Sequence, residues 1–80
     1  MVNVIFDPDF KKEFEKIRNA DIKERIIKQV AKIRENPEIG KPMRYGRKGT
    51  RELYVGSFRL SYLIEEETVK ILALYHKDEQ

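Results

Sequence analysis

The chain has 80 residues, 40% of them hydrophobic and 39% charged, with 17 bases against 14 acids and no cysteine. A chain of that length supports one small core and not two. The lack of cysteine excludes disulfide staples and thiolate chemistry, and no apolar run approaches a signal-peptide core or a membrane span, which reads as a soluble cytoplasmic domain.

In chain order, the first predicted element is a short strand over residues 2–6, in which Val2, Val4 and Phe6 alternate with Asn3 and Ile5. "DPDF" then predicts a helix start, with Asp7 as cap and Pro8 at the first helical position, where a missing N–H costs nothing. Phe10, Phe14 and Ile17 fall on one face of that helix. After "NAD" a second helix is expected, with Asp21 and Glu24 at capping-box spacing and an apolar stripe of Ile22, Ile26, Val30 and Ile33 flanked by Ile27. It ends near "ENPEIG", because Pro37 disfavours helix at Asn36.

The loop that follows, "GKPMRYGRKG", is too rich in glycine and proline for a long regular element. It also concentrates charge: residues 41–60 hold Lys41, Arg44, Arg47, Lys48, Arg51 and Arg59 against the single acid Glu52. Clustered Lys and Arg release counterions from a polyanion, so these residues are candidates for RNA binding through phosphates; the alternative is a solvated basic loop. Tyr45 reads as an exposed loop tyrosine.

"RELYVGSFRLSY" predicts a hairpin, with Leu53 and Val55 on one face, a two-residue turn at Gly56 and Ser57, and Phe58, Leu60, Tyr62 and Ile64 on one face of the returning strand. Arg59 and Ser61 then face the opposite side. "EEE" at 65–67 makes the next turn, a solvated one with no metal-ligand spacing. The last strand, residues 68–75, has Val69, Ile71, Ala73 and Tyr75 on one face and Lys70, Leu72, Leu74 and His76 on the other. The order β-α-α-β-β-β gives an α+β domain in which two N-terminal helices cover one face of a small, mainly antiparallel sheet. Arg59, His76 and Lys77 are expected to meet the basic loop on the uncovered side.

The element order, "GKPMR" after the second helix, "RELYVGSFRLSY" in the middle and "ALYHK" at the end resemble the RelE/ParE superfamily of toxins from type II toxin–antitoxin modules, along nearly the whole chain. RelE-type members are ribosome-dependent endoribonucleases that cut mRNA without a metal and are held inactive by an antitoxin; ParE-type members share the fold and inhibit DNA gyrase. Fold alone does not separate the two, nor either from a degenerate toxin that only binds antitoxin and co-represses its operon. The resemblance implies no cofactor, a cognate acidic antitoxin and mRNA on the ribosome as partners, Arg59 facing the scissile phosphate, and Lys77 as a second basic residue. Two departures stand out. Glu52 and Tyr54 occupy the nearest positions to a lysine pair that RelE-type enzymes can carry, and the chain ends in "KDEQ" where many relatives continue to a terminal tyrosine.

Cleavage by 2′-OH attack requires a proton acceptor, a proton donor for the leaving oxygen and positive charge at the phosphate. Arg59 suits the last role, since its guanidinium stays protonated and offers a fixed fork. His76 has the side chain whose ordinary pKa lies near neutrality, with Tyr54 and Tyr75 as substitutes for proton transfer. Lone histidines are more often structural, and Arg59 has its own structural alternative, a pair with Glu52 across the hairpin.

Overall fold

The computed structural model describes residues 2–43 and 49–79. The elements are β1 (Asn3–Phe6), α1 (Pro8–Lys16), α2 (Ala20–Glu35), β2 (Lys41–Pro42), β3 (Thr50–Val55), β4 (Phe58–Glu65) and β5 (Thr68–His76), with short 3₁₀ turns at Pro37–Ile39 and Lys77–Glu79. The strands form one sheet ordered β1-β5-β4-β3-β2, in which β1 pairs with β5 in parallel and all other neighbours are antiparallel.

Both helices start where a side chain satisfies otherwise unpaired N–H groups. Asp7 accepts from Asp9 N at 2.9 Å, as "DPDF" implies. For α2 the expected Asp21–Glu24 box gives way to Asn19, whose Oδ1 accepts from Asp21 N at 2.9 Å and Ile22 N at 3.2 Å. Asn19 wins because it stands one residue ahead of Ala20, so its side chain reaches two amides of the first turn. The α2 stripe is buried through Ile26 and Ile33, with Ile22 and Val30 packed at its margin and Ile27 exposed. Phe10 of α1 and Ile17, which caps that helix, join Val55, Leu60, Tyr62, Val69, Ile71 and Leu74 beneath the helices, so the core lies between the helical layer and one face of the sheet.

The basic loop contributes the two-residue strand β2, which extends the sheet beyond β3. That pairing escapes a reading based on glycine and proline content because a strand this short leaves no periodicity. Both hairpin turns have two residues between strands: Gly56 takes φ 58° at the first, and Glu66 takes φ 56° at the second.

The largest departure from expectation lies in β5. Ser61 is opposite Ala73 but Tyr62 is opposite Ile71, so Leu72 is an extra, unpaired residue. Such a bulge moves every later side chain to the other face. Val69 and Ile71 therefore share the core with Leu74, and the expected grouping of Val69 and Ile71 with Ala73 and Tyr75 is corrected: Ala73 and Tyr75 face away from the helices, while Leu74 and His76 face toward them.

Candidate functional site

Residues directly opposite in an antiparallel ladder share a face. Tyr54 is opposite Arg59 and Arg59 opposite Tyr75; Glu52 is opposite Ser61 and also opposite Lys41 of β2. Lys41, Glu52, Tyr54, Arg59 and Tyr75 thus converge on the face of the sheet that the helices leave open. The hairpin "RELYVGSFRL" builds this arrangement because its period-two alternation puts Leu53, Val55, Phe58 and Leu60 in the core and sends Glu52, Tyr54 and Arg59 to the other side.

Arg59 lies at the centre. Its side chain is 28% exposed, its guanidinium sits 4.8 Å from the centre of the Tyr54 ring, and its Nη1 lies 4.0 Å from Glu52 Oε1. The expected alternative of a cross-hairpin contact with Glu52 is therefore present, at the outer limit of an ion pair. Glu52 is buried, with its carboxylate 1% exposed, and its Oε2 accepts a hydrogen bond from the Tyr75 hydroxyl. Tyr54 is 55% exposed and offers one ring face to solvent while the other carries the guanidinium. The site combines a positioned cation, two phenols and a buried carboxylate.

Two candidates stand elsewhere. Arg51 is opposite Tyr62, on the helix side, and its Nη1 donates to the carbonyls of Glu38 at 3.0 Å and Gly40 at 2.8 Å. It holds the segment after α2 against the sheet, on the opposite side from Arg59. His76 is opposite Phe58, meets that ring edge-on at 5.5 Å, and borders a recess formed by Glu13, Ile17, Asn19 and Ile22 at the junction of the helices. The Leu72 bulge puts it across the sheet from Arg59, so the expected meeting of the two does not occur. Its Nδ1 accepts from Asp78 N at 3.3 Å. Lys77 is exposed, and its backbone N–H donates to Ser57 O at 2.8 Å, fastening the end of β5 to the first hairpin turn two residues before Arg59. Arg44, Arg47 and Lys48 lie outside the described residues, as does Tyr45.

The family model for the ParE toxin of the type II toxin–antitoxin system parDE matches residues 4–80. The chain belongs to this toxin family. Solved structures show how widely the toxin shares its fold. It is similar to a chain of the intact E. coli RelBE toxin–antitoxin complex, with TM-score 0.79 and 22% identity over 95% of this chain and 96% of that one. Against the RelBE2 toxin–antitoxin complex from Mycobacterium tuberculosis the TM-score is 0.69, with 29% identity over 94% and 96%. Against the YoeB–YefM complex from Staphylococcus aureus it is 0.78, with 21% identity over 95% and 98%. No curated protein sequence matches the toxin. The two-helix layer on a mostly antiparallel sheet is thus the RelE-like fold that the sequence led us to expect.

Proposed function

We propose that the toxin is a metal-independent, ribosome-dependent endoribonuclease that inhibits translation by cutting mRNA, with Arg59 binding the phosphate at the cleaved bond. The observation that carries this reading is the placement of Arg59 on the open face, part-exposed and stacked on a tyrosine more accessible than itself. A guanidinium held by a ring plane on one side, and meeting Glu52 only at the outer limit of an ion pair, has N–H groups left to point at phosphate oxygens and carries charge that the transition state needs. Tyr54 is suited to stack on an unpaired base, and exposed Lys41, opposite Glu52, adds positive charge on the same face. His76, on the helix side, is not assigned a step.

A second reading has its own support: the matching family model is that of ParE toxins, so inhibition of DNA gyrase by binding is the alternative target. In either case we infer that the toxin acts in the cytoplasm and is neutralised by a cognate acidic antitoxin, as the RelBE and YoeB–YefM structures are toxin–antitoxin complexes. An apolar cleft of about 270 Å³ lined by Phe6, Phe10, Phe14, Ile26, Ile27 and Val30 supports this, since it offers a partner segment apolar surface beside the edge strand β1.

Cleavage of mRNA on programmed ribosomes, run beside a gyrase supercoiling assay, tests the assignment. The wild type should cut mRNA and leave gyrase active. Arg59→Ala should lower cleavage by about two to three orders of magnitude, the usual scale for one preorganised donor, and Arg59→Lys should restore part of it. Gyrase inhibition without cleavage would establish the ParE-type reading instead. A stable Arg59→Ala protein with full cleavage would remove Arg59 from the site.

A further inference from the structure

Among the described residues Glu52 is the one buried charged side chain. Its surroundings make it an odd structural choice: a carboxylate in the middle of a small sheet carries a desolvation cost that a glutamine or an apolar residue would avoid. Among the described residues, each of its two oxygens meets a residue of the open face. Oε1 faces the Arg59 guanidinium, and Oε2 receives the Tyr75 hydroxyl proton in a hydrogen bond. Tyr75 is itself half-buried and directly opposite Arg59, where side chains of adjacent strands stand in contact. A phenol backed by a carboxylate therefore borders the cation proposed to hold the phosphate.

We propose that Tyr75 and Glu52 form the proton-accepting relay of the nuclease, with Tyr75 as the catalytic residue that touches the ribose and Glu52 as the residue behind it. This rests on the nuclease reading above. As the 2′ oxygen forms its bond to phosphorus, its proton passes to Tyr75 Oη and the phenolic proton of Tyr75 passes to Glu52 Oε2. The bond from phosphorus to the 5′ oxygen breaks, its electron pair stays on that oxygen, and water supplies the proton that completes the 5′ hydroxyl. The products are a 2′,3′-cyclic phosphate and a 5′-hydroxyl end, and Glu52 returns its proton to solvent through Tyr75 before the next turnover. Charge is conserved throughout, and Arg59 offsets the negative charge that builds on the phosphate oxygens. The relay also accounts for a site with no imidazole beside Arg59: the acceptor comes from β3 and β5, and the bulge at Leu72 is what turns Tyr75 toward it.

The test is single-turnover cleavage of mRNA on programmed ribosomes by the wild type, Tyr75→Phe, Glu52→Gln and the double variant, with ribosome binding and melting temperature measured on each. Tyr75→Phe keeps the ring and removes only the hydroxyl; Glu52→Gln keeps the shape and the hydrogen-bond acceptor but removes the proton acceptor. Each single variant should lose about 10²-fold or more in cleavage rate, within the range of general acid–base catalysis, while binding stays unchanged. The double variant should be no slower than the slower single one, since both act on one proton transfer. A purely structural role predicts otherwise: losses that add, accompanied by lowered melting temperatures. If the wild type cleaves and Tyr75→Phe cleaves at the same rate, the relay is wrong and the nuclease reading stands. If the wild type does not cleave at all, both fall together. Should Glu52→Gln fail to fold, Tyr75→Phe alone decides.

Discussion

Tyr62 shows how much one side chain fixes in this toxin. Its ring is fully buried, its hydroxyl donates to Pro37 O at 2.6 Å and accepts from Gly40 N at 2.8 Å, and a side chain at position 40 would overlap that hydroxyl. Arg51 closes the same corner from its place beside Tyr62 by binding the Gly40 carbonyl. Tyr62→Phe should therefore destabilise the fold by about 1–3 kcal/mol in chemical denaturation, because it leaves a buried N–H without a partner. Burial raises the pKa of Tyr62 above its ordinary 10.0, against smaller opposing effects of the Gly40 N–H and the Arg51 charge. A pKa raised in the folded state means that the neutral phenol's contribution is complete below the unfolded value and is lost as pH rises above it. Wild-type stability should fall on the alkaline side of pH 10 more steeply than that of Tyr62→Phe; parallel curves would show that this phenol does not couple folding to pH. None of this was legible from the sequence, where Tyr62 reads only as one more apolar residue in an alternating strand. Hydrogen bonds that join residues 22 and 25 positions apart leave no local pattern.

At the level of elements, periodicity carried the reading wherever one face is buried, and failed where a single residue broke the count. The α2 stripe, the Gly56–Ser57 turn and the outward parity of Arg59 all follow from spacing alone. The Leu72 bulge does not, because an extra leucine in "KILALYH" looks like ordinary strand, and through it the positions of Tyr75 and His76 were exchanged. Half of the candidate site was therefore visible in the β3–β4 hairpin and half was hidden in β5. The second hairpin turn offers a separate test. Glu66 adopts φ 56°, a left-handed conformation that costs a residue with a Cβ about 1 kcal/mol or more. Glu66→Gly should raise stability by up to about 1 kcal/mol, less what the unfolded chain gains in freedom, as a higher urea midpoint with unchanged slope. A lower midpoint would show that the Glu66 side chain contributes more than its backbone costs.

Across the whole molecule the charge is arranged along the chain before it is arranged in space. Six of the 17 bases fall in residues 41–60 beside one acid, and the rest of the chain carries eleven bases against thirteen acids. Binding to ribosomes or RNA should weaken steeply with salt, and replacing Arg44, Arg47 and Lys48 together by Ala should flatten the slope of log affinity against log salt by roughly 0.7–0.9 for each phosphate no longer neutralised. An unchanged slope would assign that loop to solvent. The sheet's own order has a temporal consequence. Its single parallel pairing joins Asn3–Phe6, at the beginning of the chain, to Thr68–Ile71 near the end, while α1 packs on β5. The strand on which both α1 and β1 pack follows them at long range in the sequence, and such a pairing forms late because the intervening chain must first be ordered. A chain in which β5 has not yet docked has neither a floor for its first helix nor Tyr75 beside Arg59, so the fold and the site are completed in one step, by the same strand.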